Sequence, residues 1–221
     1  MADATAADYA WFEEKYGDSL WVSGFCLTFV RGLSPEEAFA RIGVPGTPWN
    51  PPEGTAPDPH SAPGIVSHPA VAASGYPTAP DVAADGRPIA AYAAVGGTVL
   101  LEDGGRAGTL AEVTRRLSAG TVTAAVHLDA RDGRQFVFAA DGQVVAGYEP
   151  GLPTAPWGAS PGLLPSPDGE AAAPAGDLAD VPPADLAVLS AIALAERVTG
   201  VRLTWRHLAR PALTGSAAHL Y

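Results

Sequence analysis

Cys26, His127 and a set of carboxylates are the residues whose types could do chemistry in this chain. A nucleophilic cysteine needs an electropositive, partly exposed setting, whereas a buried thiol is inert. Cys26 lies between Phe25 and Leu27 in an apolar run, so it reads as a core cysteine. His127 sits in a strand pattern and is the one histidine placed to pair with it. The paired acids Glu102-Asp103 and the turn acids Asp129 and Asp132 supply carboxylates in number. Turn aspartates cap their own backbone and stay solvated. Acid–base work needs environments that split two pKa values, and spacing alone does not create them.

Metal and phosphate chemistries find less support. The five histidines are His60, His68, His127, His207 and His219. None forms an i, i+4 pair, and the lone cysteine cannot form a Cys pair. His60 and His68, with Asp58, fall in a Pro-rich loop, which gives a ligand set little rigid support. No metal site and no cofactor are expected. The motif G-x-S-x-G is missing. Gly96, Gly97, Gly104, Gly105 and Gly108 crowd together before a helix, but a phosphate loop also requires Lys followed by Ser or Thr. No catalytic residue is assigned. Trp49 and Trp157 lie in Pro-rich loops, where a tryptophan either pins the loop or presents a recognition surface. Trp49, Trp157, Glu102 and His127 are therefore the candidate binding residues.

The elements that would position these residues are legible from periodicity. Ala6 to Tyr16 reads as a helix with Tyr9, Phe12 and Tyr16 on one face. Leu20 to Val30 reads as a strand, buried on both sides from Phe25. Ser34, Pro35, Glu37 and Gly43 punctuate a helix with a capping box and a glycine stop. Ile89 to Glu102 reads as two strands around Gly96-Gly97. Thr109 and Glu112 suggest a second capping box, ending at Gly120. Three strands follow as a meander, the last two joined by the hairpin signal Asp141-Gly142. Asp180, Pro182 and Pro183 open a long apolar helix that ends at Gly200, and Thr204 caps a short one. This order predicts a single α+β domain over 1–221, with a mainly antiparallel sheet of about five to six strands and helices packed on one face.

Of the 22 prolines, eleven lie between Pro45 and Pro88 and nine between Pro150 and Pro183. These define Pro-rich loops at about 43–88 and 149–183, neither compatible with a regular helix or a central strand.

Charge narrows the partners. Thirteen basic residues face 24 acids, a net charge of −11, so nucleic acid is not an expected ligand. Arg202, Arg206 and Arg210 form the nearest thing to a basic stripe and read as a solvated helix face. No apolar run approaches the roughly 18 residues of a membrane span. The acidic, aromatic start is unlike a secretory leader, and a lone cysteine permits no internal disulfide, so a reducing cytoplasmic location is expected. Lys15 is the only lysine and Asn50 the only asparagine, a bias typical of GC-rich genomes.

Several ordered landmarks carry a family resemblance: Trp21, the run Cys26-Leu27-Thr28-Phe29-Val30, and Gly32-Leu33-Ser34-Pro35-Glu36-Glu37. They continue with Gly96-Gly97-Thr98-Val99-Leu100-Leu101-Glu102, Leu117-Ser118-Ala119-Gly120-Thr121 and the stretch from Ala195 to Thr204. Together they resemble an uncharacterised actinobacterial domain family of unknown function. The chain departs from that family's pattern at Thr98, where the pattern has Trp. The resemblance implies one domain and no particular activity.

Two functional expectations follow. The first is a non-enzymatic interaction or regulatory module, of immunity or sequestering type, whose partner is a basic protein. The alternative is a small-molecule binder or enzyme of unrecognised type, with the Pro-rich loops as a lid over the sheet.

Overall fold

A computed structural model describes residues 4–50, 87–131, 133–164, 178 and 181–221. The helices among them are α1 (Ala10–Tyr16), α2 (Leu20–Ser23), α3 (Pro35–Ile42), α4 (Ala111–Leu117), α5 (Pro183–Thr199) and α6 (Trp205–Leu208). The strands are β1 (Gly24–Arg31), β2 (Thr47–Trp49), β3 (Pro88–Ala94), β4 (Gly97–Asp103), β5 (Val122–Asp129), β6 (Arg134–Ala140), β7 (Gln143–Tyr148) and β8 (Ala212–Ser216). All eight join one open antiparallel sheet in the order β2-β8-β3-β4-β1-β5-β6-β7.

The expected α+β class and antiparallel sheet are found, but the count of five to six strands is too low. β2 and β8 account for the difference. β2 has three residues including Pro48, which an edge strand tolerates because its outward side needs no donor. β8 reads Ala-Leu-Thr-Gly-Ser and carries little strand propensity. Its Gly215 lies where a Cβ would meet Val44 and the Pro45 carbonyl, so tertiary packing selects this strand.

The helices cover both faces, not one. β1 is central and alternates its side chains between two cores. Phe25, Leu27 and Phe29 pack with Phe12 and with Leu189 and Ile192 of α5. Val30, on the opposite face, packs with Phe39 and Ile42 of α3 and Val113 and Leu117 of α4. A strand buried on every residue from Gly24 to Val30 needs cover on both sides, which is the physical reason for the second layer.

Local chemistry explains most boundaries. Ser34 Oγ accepts the Glu37 N–H at 3.2 Å and a Glu37 carboxylate oxygen accepts the Ser34 N–H at 2.9 Å, the capping box expected for α3. Gly43 ends it in the left-handed region. Asp141 and Gly142 both have positive φ, as a two-residue hairpin requires. The strand expected from Leu20 begins instead at Gly24, and Leu20–Ser23 form a helical turn tied to α5 by the Trp21 indole N–H donating to Asp185 at 2.8 Å. The second capping box does not form. Thr109 closes a short 3₁₀ turn onto the Arg106 carbonyl, and Glu112 is taken by Arg115 and Arg116 at 2.8 and 2.7 Å. Asp180 lies outside the described residues.

Candidate functional site

Strand register brings three of the chemically capable residues into one row. Cys26 on β1 stands opposite Glu102 on β4 and opposite His127 on β5. Directly opposed residues have Cβ atoms about 4.5–5.5 Å apart, so the row is contiguous across three central strands. Thr28 lies two residues along the same face. The glycine-dense segment Gly104 to Gly108 lies flat on this row. A Cβ at Gly108 would fall inside the Thr28 hydroxyl and beside the Cys26 sulfur, and one at Gly105 would strike the Glu102 carboxylate. The crowding of glycines at Gly105 and Gly108 thus serves close backbone approach.

Glu102 is the hub of this layer and is almost wholly buried. Its carboxylate accepts the N–H groups of Ala107 at 3.2 Å and Gly108 at 3.3 Å, and the Tyr221 hydroxyl at 3.0 Å. The Tyr221 hydroxyl in turn accepts the Arg106 N–H, and the Arg87 guanidinium lies 4.2 Å from the Tyr221 ring centre. Burial pushes the Glu102 pKa up, and the two N–H donors and Tyr221 oppose it. Burial, then the Glu102 charge, push the Cys26 thiol well up. Burial also holds His127 below its ordinary value. The His127 Nδ1 sits 3.0 Å from the Phe25 carbonyl, which places the ring proton on that nitrogen.

The consequences are chemical. Cys26 is a protonated thiol with no exposed surface, which is the opposite of an activated nucleophile. Its reading as a core cysteine agrees with this placement. Glu102 spends its lone pairs fastening the 104–108 segment and Tyr221 to the sheet. The row is a satisfied polar layer within the fold.

The two loop tryptophans are not brought together. Trp49 ends β2, opposite Ala212, at one edge of the sheet. Trp157 lies beyond β7, at the other edge. Seven strand spacings separate those edges, on the order of 30 Å. Trp49 is partly buried against the core that contains α5. Trp157 exchanges both backbone hydrogen bonds with Gly147 at 2.8 Å, and its ring lies where a Gly147 Cβ would stand. The Ala159 and Ser160 N–H groups bond to Val144 and Val145 at 3.2 and 2.8 Å. The stretch 149–164 is therefore a strap laid along the β7 edge.

The other candidates disperse. Asp129 caps its own turn, accepting the Arg131 and Gly133 N–H groups at 2.7 and 2.9 Å, as a turn aspartate should. Asp132, Asp58, His60 and His68 lie outside the described residues. Among the described residues no group of three His, Cys, Asp or Glu side chains is placed to hold a metal ion, and no helix is long and apolar enough to cross a membrane. Arg202, Arg206 and Arg210 do not share a helix, because α6 spans only four residues. Arg202 instead meets Asp8 at 3.5 Å and Glu196 at 3.9 Å.

Sequence reasoning gave no role to Tyr221, Leu152 or Leu163. Tyr221 reaches Glu102 across 119 positions, and no local signal foretells such a contact. The proline density around Leu152 and Leu163 marked a loop without showing that it lies on a strand edge.

An antiparallel eight-stranded sheet with helices on both faces and a buried polar row defines the class of this domain. The chain belongs to the family of unknown function DUF6461, whose pattern matches residues 2–218. No curated protein and no solved structure matches it.

Proposed function

We propose that this protein is a non-enzymatic interaction module that binds a basic partner protein through the strap at the β7 edge. One observation carries the reading. Residues 150–164 contain no charged side chain, and they hold Leu152, Trp157 and Leu163 out at 47%, 42% and 72% exposure. Three large apolar side chains presented on one short strap resemble the aromatic and aliphatic anchors of a protein interface. Backbone pairing of Trp157 with Gly147 holds the strap in advance, which lowers the ordering cost of association. The net charge of −11 favours a basic partner and speeds the encounter with it.

The buried row supports this reading from the other side, because Cys26, Glu102 and His127 are engaged within the fold. The scarcity of Lys and Asn supports a GC-rich, actinobacterial source, and the single cysteine supports a cytoplasmic one. The test is a comparison of wild type with Leu152→Asp/Leu163→Asp, both sites exposed and uninvolved in the core. Tagged protein from the native host should retain one stoichiometric basic protein as wild type and lose it as the variant, with unchanged circular dichroism. Equal retention by both would move the interface elsewhere.

A further inference from the structure

Far from the strap, at α6, which packs near β3, the surface carries an open groove of about 390 Å³. Its walls are Trp11 and Trp205, and Arg206, His207 and Arg210 line it, with Asp8 at one side. This end of an acidic protein gathers Lys15, Arg202, Arg206 and Arg210. Two of these cations already stand over an aromatic face. Lys15 Nζ lies 5.5 Å and the Arg206 guanidinium 5.3 Å from the Trp205 ring centre. The negative charge nearby is engaged, because Asp8 accepts the Thr5 N–H and hydroxyl at 2.9 Å and faces Arg202.

His207 supplies an independent observation. The side chain is nine-tenths buried. Its Nδ1 accepts the Thr204 N–H at 3.0 Å, which leaves the ring proton on Nε2. Among the described residues the ring makes hydrogen bonds through Nδ1 alone, and Nε2 is not one of the unpartnered atoms sealed from the surface. A fixed neutral donor, two guanidinium groups and two indole walls are the parts of a site for an anion borne on a flat apolar body.

We infer that the groove formed by Trp11, Trp205, Arg206, His207 and Arg210 binds a small organic anion, a carboxylate or phosphate carried on an aromatic ring. The guanidinium groups and Nε2–H take the oxyanion, and the indoles take the ring. The volume suits a molecule the size of a nucleoside monophosphate. This site is independent of the strap.

The test is nuclear magnetic resonance of the five indole N–H signals during titration with AMP, benzoate and inorganic phosphate. Trp11 and Trp205 should shift with AMP or benzoate and not move, or move much less, with phosphate alone. Arg206→Ala and Arg210→Ala should each weaken binding roughly tenfold, the loss of one charge-assisted contact. Arg131→Ala, an exposed cation elsewhere, should change nothing. Absence of any shift with all three probes up to about 10 mM would overturn the inference. Shifts that survive Arg206→Ala and Arg210→Ala unchanged, or that fall equally in Arg131→Ala, would overturn it too.

Discussion

Gly108→Ala tests whether the 104–108 segment is held against the sheet by close approach. Two effects oppose each other. The φ of Gly108 is not in the positive region, so alanine should gain about 0.4–1 kcal/mol by restricting the unfolded chain. Against this, the new methyl would fall inside the Thr28 hydroxyl, with the Cys26 sulfur at 3.0 Å. Overpacking a filled interior costs about 1–3 kcal/mol, so sterics wins and the net loss should be about 1–2 kcal/mol. Thr28→Ala removes the obstructing oxygen and should itself cost about 1 kcal/mol. In the double variant the worst clash is gone, although the Cys26 sulfur at 3.0 Å and the Cβ of residue 28 at 3.1 Å still crowd the methyl, and the two costs should fail to add by about 1 kcal/mol. Urea unfolding followed by circular dichroism measures all four proteins, with the midpoint read at constant m. A chain of this length should lose about 2–4 °C of melting temperature per kcal/mol. A Gly108→Ala variant as stable as wild type, or an equal cost with and without the Thr28 hydroxyl, would refute the reasoning.

Other outcomes follow from the same packing. Burial raises the Glu102 pKa above its ordinary 4.5, so the folded state holds this proton more tightly than the unfolded chain. Its contribution is fully present below the ordinary glutamate range and is lost as pH rises through the folded value. Glu102→Gln should flatten the fall in stability just above pH 4.5 relative to wild type, and a parallel pair of pH–stability curves would contradict this. Cys26 should react with a thiol reagent only at the rate of unfolding, and immediate stoichiometric labelling in native buffer would show an open site. Arg41 donates to the Leu117 and Ala119 carbonyls at 3.0 and 2.6 Å at the end of α4, so Arg41→Ala should lower stability by about 1 kcal/mol in urea unfolding. Gly147→Ala should displace the Trp157 ring and shift its fluorescence, with little effect on the melting of the core.

Much of the architecture was legible because it is written locally. Ser34, Pro35, Glu37 and Gly43 state the limits of α3 without reference to any other element. Asp141-Gly142 sets the first pairs of β6 on β7, Ala140 with Gln143 and Ala139 with Val144, in the same way, and a bulge beyond them shifts the rest. Long-range selection defeated the rest. β8 is a strand because β2 and β3 flank it, and the Thr109 box fails because the sheet holds Gly108 in a different turn. The site divides along the same line. Cys26, Glu102 and His127 were each visible as types, but only the pairing of β1 with both β4 and β5 makes them neighbours. Trp49 and Trp157 looked alike in their Pro-rich contexts and lie at opposite edges, because the sheet is wider than five or six strands. The alternative, with the Pro-rich loops as a lid over the sheet, falls largely on residues outside those described.

The central claim is that the uncharged strap at the β7 edge is the partner surface. The most direct measurement is quantitative affinity purification of wild type beside Leu152→Asp/Leu163→Asp from the native host, with mass spectrometry of each eluate. One stoichiometric basic protein should be found with wild type and be lost from the equally folded variant. A wild type that elutes alone, or a partner held equally by both, would contradict it.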